Sequence, residues 1–230
     1  MGLSSVETLA LMLSLKVASW SVVVSLPLGI ATAWLLERRD FYGRTIFNAL
    51  VHVPLVVPPI VVGYLLLIAF GRQAPLGRWL SDTFGMSLSF DWKGAALAAG
   101  VMGFPLMVRA IRQSLAATDL RMESVAATLG ASRWRIWWTI SLPLALPGVI
   151  AGCILAFARA LGEFGATITF VANIPGRTQT LPLALFSALQ QPGGEALAAR
   201  FAVLSLVLAV AAIAASEVLI RAFQTRVRID

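Results

Sequence analysis

Charge is what this chain has least of. Asp, Glu, Lys and Arg make up 13% of its 230 residues against 59% hydrophobic, and the mean hydropathy is +0.85. A soluble domain of this length cannot hide so much apolar surface, so a bilayer is the expected solvent. A single cysteine, Cys153, lies in an apolar run, which excludes an internal disulfide and a cysteine-based metal site. The single histidine, His52, has no second imidazole to join as a ligand and reads as a packed or interfacial residue. No Gly-x-x-x-x-Gly-Lys-Ser/Thr stretch occurs, so the chain has no such loop to cradle nucleotide phosphates, and no metal or other cofactor is expected in it. Paired aspartates, a serine with a lysine, or clustered histidines are also missing from the apolar runs, which argues against an intramembrane enzyme. A cleavable leader is not expected, because the first apolar run is too long and residues 1–15 lack a basic start. The net charge of +7 does not imply nucleic acid: the basic residues fall in short loops beside apolar runs, with no basic stripe interleaved with aromatics.

Apolar runs are what the chain has in abundance. At roughly 20 residues per crossing, it holds about five spans, near residues 9–36, 46–70, 94–108, 143–163 and 201–223. The expected fold is an all-α integral membrane protein forming one transmembrane domain over residues 1–230. Pro27 and Gly29 predict a bend in the first span, and Lys16 sits where it can snorkel to the interface. The second span contains Pro54, Pro58 and Pro59, so its first half is not expected to be a regular helix. Broken backbone at membrane depth needs protein or water over it, which places this segment on the protein interior beside a pathway. After the fourth span come a β-branched run around Thr167 and Thr169, then Asn173-Ile-Pro-Gly176, then a short apolar piece at 181–189.

The basic residues fall into two sets. Arg38, Arg39, Arg44, Arg109, Arg112, Arg121, Arg133, Arg135, Arg221, Arg226 and Arg228 share one side; Arg72, Arg78, Lys93, Arg177 and Arg200 are spread over longer loops on the other. The positive-inside rule makes the first side cytoplasmic, with the N-terminus outside and the C-terminus inside.

The one long polar interruption between apolar runs is residues 119–142. Asp119 is placed to cap a helix with Glu123 in its first turn, where acidic groups meet the positive helix end. Val125 and Leu129, four apart, share a face. Gly130 is placed to end the helix in a left-handed conformation, and Ser132 to cap a second one. Trp134, Trp137 and Trp138 suit the lipid headgroup level, with Arg133 and Arg135 toward phosphate or water. On physics alone this is either an interfacial amphipathic hairpin that anchors the chain or a platform for a partner.

Glu123-Ser-Val-Ala126, Gly130, nine residues and Ile140-Ser-Leu142-Pro143 resemble the signature loop of binding-protein-dependent ABC importer permeases. That pattern is Glu-Ala-Ala, three residues, Gly, nine residues, Ile-x-Leu-Pro; here the triplet position holds Ser124-Val-Ala126, with the acid one residue earlier. Leu26-Pro-Leu-Gly29, residues 52–64, Phe104-Pro-Leu-Met-Val-Arg-Ala-Ile-Arg112 and Leu161-Gly-Glu-Phe-Gly165 are similar to the sulfate, molybdate and tungstate group. Ala166-Thr-Ile-Thr-Phe-Val-Ala-Asn-Ile-Pro-Gly176 is most similar to its molybdate branch. The resemblance implies a multi-pass, non-catalytic permease of the cell inner membrane that imports molybdate, with sulfate, thiosulfate or tungstate as alternatives. It implies coupling helices at Glu123, Ala126, Gly130, Ile140, Leu142 and Pro143 docked in a cytoplasmic ATPase that holds the ATP and magnesium. It also implies a permease homodimer with two ATPase subunits and a periplasmic oxyanion-binding protein.

Few polar residues mark a pathway. Arg159 and Glu163, four apart near the outer end of the fourth span, read as a gate or substrate contact, or as a self-neutralising pair within a bundle. Thr167 and Thr169 either line a conduit or pack. Gly148 and Gly152 permit close helix contact, within one subunit or across a dimer seam. A secondary transporter would place ionisable residues at mid-span, and none is found there.

Overall fold

A computed structural model describes residues 3–227, with side chains described for residues 3–215 except Leu120. Arg221, Arg226 and Arg228, counted above for orientation, lie outside the described side chains. Among the described residues there is no strand. The elements are α1 (Ser5–Arg38), α2 (Arg44–Val56), α3 (Pro59–Phe70), α4 (Pro75–Phe84), α5 (Trp92–Ala116), α6 (Leu120–Thr128), α7 (Arg133–Ile136), α8 (Leu142–Leu161), α9 (Gly165–Val171), α10 (Leu181–Leu189) and α11 (Glu195–Val227), with one π-helical turn, Trp137–Ser141, joining α7 to α8.

Helix α5 is the axis of the bundle. It is rich in Ala and Gly, and Ala95, Ala98, Ala99, Met107 and Val108 are wholly buried. Small side chains let α1 and α8 pack along its length. Gly152 lies against Met107, where a Cβ would sit 3.0 Å from the Met107 carbonyl oxygen; Gly103 lies against Ala156, where a Cβ would sit 3.1 Å from the carbonyl oxygen. Gly148 likewise meets Ala110 and Ser114 of α5. The glycine pair of the fourth span therefore packs within this chain.

The path of the chain follows from these contacts. Lys16 Nζ stands 3.8 Å over the Trp92 ring, and Arg112 pairs with Glu37 at 3.3 Å. Both pairings have the same register, so α1 and α5 are parallel. The chain between them must return across the membrane, and α2 with α3 makes that return despite a 114° bend. Helix α8 then runs antiparallel to α5. Helices α9 and α10 stay in the half of the bundle near the α1 N-terminus, where Ser14 Oγ accepts from the Leu181 amide at 2.8 Å. Helix α11 starts at the same end, where Arg200 Nε lies 2.8 Å from the buried Glu7 carboxylate. Among the described residues four helices are long and apolar enough to span, and the bent pair, which returns the chain between the parallel α1 and α5, makes a fifth crossing.

Three sequence expectations need correction. The first half of the second span is a regular helix that runs through Pro54, and the break falls at Val57 and Pro58, both extended (ψ 137° and 135°). Each of those residues precedes a proline, which disfavours helical ψ, and two in succession cannot be bridged. Nor is α2 interior in the single chain: none of its residues is buried, and Ile46, Leu50 and Val56 are exposed. The third span does not stop near Val108 but continues to Ala116, its Arg112 neutralised by Glu37 and hydrogen-bonded at 2.7 Å to Asn48 Oδ1. The β-branched run at 165–171, for which the sequence carried no explicit assignment, is helical, because in an apolar surrounding only a helix satisfies a lone segment's backbone from within.

Candidate functional site

The polar hairpin 119–142 is built from local signals. Asp119 accepts from the Arg121 amide at 2.9 Å and opens α6. The helix ends in a Schellman arrangement: the Gly130 amide donates to Ala127 O and the Ala131 amide to Ala126 O, both at 3.0 Å. Gly130 is left-handed, with φ 85° and open space where a Cβ would be. Ser132 Oγ accepts from the Arg135 amide and opens α7. Ala126 thus contributes its carbonyl to the turn.

No break separates α7 from the fourth span. Arg133–Leu161 is one continuous helical stretch, with the π turn placed immediately before Pro143. The Leu142 amide reaches back five residues to Trp137 O, an extra residue per turn that makes room where proline supplies no donor. Ile140 is half-buried within that turn, Leu142 is half-buried at its end, and Pro143 is exposed. Trp137 packs edge-on against Trp34 of α1 at 5.8 Å, whereas Trp134 and Trp138 are exposed and contact each other at 5.6 Å.

Behind the hairpin is a junction that sequence reasoning missed. Glu123 Oε1 lies 2.9 Å from Arg38 Nη2, and Ser141 Oγ donates to the same oxygen at 2.9 Å. One carboxylate therefore joins the end of α1, the first hairpin helix and the π turn. Arg38 was visible only as a loop charge and Ser141 only as the variable position of Ile140-Ser-Leu142. Nothing in the local spacing pairs residues 85 positions apart. On its outward side α6 leaves Met122, Val125 and Leu129 exposed, the last at 82%. Fastened behind and bare in front, the hairpin presents an apolar face rather than burying it.

At the opposite end of α8, Arg159 Nη1 lies 2.7 Å from Glu163 Oε2, and the other Glu163 oxygen accepts from the Ala166 amide at 2.8 Å. Glu163 is buried, so its charge is balanced by a guanidinium and by an orphan donor at the start of α9. Thr167 is buried; Thr169 bonds its own helix at Gly165 O, and its Cβ packs against Gly63 of α3. In a helix two residues apart means roughly 200°, so the two threonines face different ways.

Among the described residues, an all-helical bundle with four long apolar helices and a bent pair as a fifth crossing, a polar hairpin at one end and few charges at membrane depth defines a multi-pass membrane protein. A family profile described as "Binding-protein-dependent transport system inner membrane component" matches residues 25–229. The "Molybdenum transport system permease protein ModB" of Escherichia coli (strain K12) is 54% identical over 226 residues, which is 98% of this chain and 99% of that one. The "Sulfate transport system permease protein CysT" of the same organism is 36% identical over 183 residues, covering 78% and 66%. Among solved structures, a bacterial ABC transporter that imports alginate aligns with a TM-score of 0.75 at 14% identity, over 95% of this chain and 80% of that one. The chain belongs to the family of inner-membrane components of binding-protein-dependent transport systems.

Proposed function

We propose that this chain is the permease subunit of an ATP-driven importer of molybdate, working as a homodimer with two cytoplasmic ATPase subunits and receiving the anion from a periplasmic binding protein. The observation that carries the reading is the hairpin: its exposed Met122, Val125 and Leu129 form an apolar stripe on a helix held from behind by Glu123. Such a stripe fits a groove on a partner, and the absence of a phosphate-binding loop in this chain assigns ATP and magnesium to that partner. Glu123, Ala126, Gly130, Ile140, Leu142 and Pro143 are the coupling residues on this reading, and the chain itself is non-catalytic.

Homodimerisation answers a physical need. Five crossings do not enclose a hydrated path, and lipid offers a dianion no compensation. The extended backbone at Val57 and Pro58, with exposed apolar side chains on α2 around it, also needs a protein or aqueous neighbour rather than lipid. The end-to-end relative at 54% identity supports molybdate over sulfate as the cargo. The positive-inside rule puts the hairpin in the cytoplasm and the N-terminus in the periplasm.

The test is reconstitution. The purified permease with its ATPase and binding protein in liposomes should take up molybdate with ATP, and the solubilised particle should weigh as two permeases plus two ATPases. Uptake without ATP, an active one-to-one particle, or a binding protein that selects sulfate would each contradict part of the assignment.

A further inference from the structure

The hairpin and α1 enclose a second feature, which shares Leu142 with the coupling loop and lies apart from the Arg159–Glu163 end. A groove of about 570 Å³ runs between α1 and the α7–π–α8 stretch. Its depth is apolar, with Leu26 and Ile30 on one wall and the Trp34 and Trp137 rings across it. Its mouth is cationic, with Arg39 and Arg133 on opposite sides. Both arginines are exposed, and among the described residues neither is paired with a carboxylate; Arg39 is held 5.3 Å over the Trp34 ring.

The dimensions match one leaflet. From Arg39 down to Leu26 is thirteen residues of α1, or roughly 20 Å at the helical rise, close to half of a ~30 Å hydrocarbon core plus the headgroup layer. The apolar part lies along the spanning length of the helices, beyond the reach of a soluble partner. Two free guanidiniums at the tryptophan level, above an apolar slot of leaflet depth, are complementary to a phosphate ester carrying an acyl chain. We propose that this groove holds one anionic phospholipid, its phosphate between Arg39 and Arg133 and an acyl chain along Ile30 and Leu26. The occupied groove would fill the space between α1 and the π turn and so support the hairpin from its lipid side. This inference does not depend on which anion is carried or on the ATPase.

Native mass spectrometry of the purified permease in mild detergent tests it, with phosphatidylglycerol and phosphatidylcholine of identical acyl chains as probes. One phosphatidylglycerol per permease should be retained preferentially. Each basic residue at an anionic surface contributes about fivefold, so R39Q/R133Q should weaken that binding on the order of thirtyfold. Ile30→Trp, which fills the slot and leaves both charges in place, should displace the lipid independently. Arg109→Gln, which removes an exposed charge outside the groove, should change little. Equal retention of the two lipids, equal loss in the Arg109→Gln variant, or no lipid because a second permease copy covers the groove would each overturn the assignment.

Discussion

Removing Arg38 should loosen the hairpin without unfolding the bundle. The guanidinium is 11% exposed and the Glu123 carboxylate 23%, so the pair is neither a surface bridge, worth under about 1 kcal/mol, nor a fully buried one, whose breakage costs about 3–5 kcal/mol. A charged hydrogen bond in this intermediate setting is worth about 2 kcal/mol, which is roughly thirtyfold in the ratio of fastened to released hairpin. Arg38→Ala should therefore raise hydrogen exchange of the α6 amides about thirtyfold while the α5 amides stay protected. Coupled transport should fall as the hairpin loses its fixed position. Glu123→Gln keeps an acceptor for Ser141 and loses only the ionic part, so its effect should be smaller. In a double-mutant cycle R38A/E123A should cost less than the sum of the single changes, because Arg38→Ala alone strands a carboxylate that the double variant removes. Strict additivity, or unchanged exchange in α6, would refute the claim that this pair holds the hairpin.

Gly130→Val should abolish uptake and transport-stimulated ATP hydrolysis in a protein that still inserts, since φ 85° excludes a β-branched residue, whereas Gly130→Asn should retain much of both; normal coupled uptake by the valine variant would contradict this. In a Cys153→Ser background, a cysteine at Ser132 should react with impermeant reagent only from the cytoplasm and one at Ser81 only from outside; the reverse pattern would invert the orientation and the docking side together. Gly152→Leu should destabilise the bundle by about 1–3 kcal/mol, read as a lowered thermal midpoint in detergent, because its Cβ would meet the Met107 backbone at 3.0 Å. Ala172 has φ 60° and ψ −170°, a region almost reserved for glycine, so Ala172→Gly should raise the same midpoint by relieving about 1–3 kcal/mol of strain.

Composition and hydropathy were enough to place five crossings, because every residue in lipid-facing helix must be apolar and those runs are long. Gly130 was legible for a different reason: a left-handed helix end has few solutions, and a glycine between two cappable segments is the commonest. The proline-rich second span misled because Pro54, Pro58 and Pro59 together were expected to keep its first half from being a regular helix. Helix α2 tolerates Pro54, and it takes the consecutive Pro58 and Pro59, with Val57 before them, to turn the chain by 114°. Residues 165–171 have strand-like side chains, yet the surroundings override propensity. The Glu123 junction was illegible because its partners come from elements that meet only after the bundle has assembled.

The unbroken course from Arg133 to Leu161 gives the hairpin a mechanical character. Its 29 residues form a rod of roughly 44 Å, with the polar hairpin at one end and the Arg159–Glu163 pair next to the other. A tilt of such a rod by about 5° about one end swings the far end by about 4 Å over that length, carrying the Arg159–Glu163 pair with it. The π turn is one joint along it, tied to Glu123 through Ser141, and Pro147 within α8 is a second. If a partner docks on the hairpin as proposed, a closed Glu123–Ser141 tie would carry its load along the rod toward the other face of the membrane, and an open one would let the π turn bend.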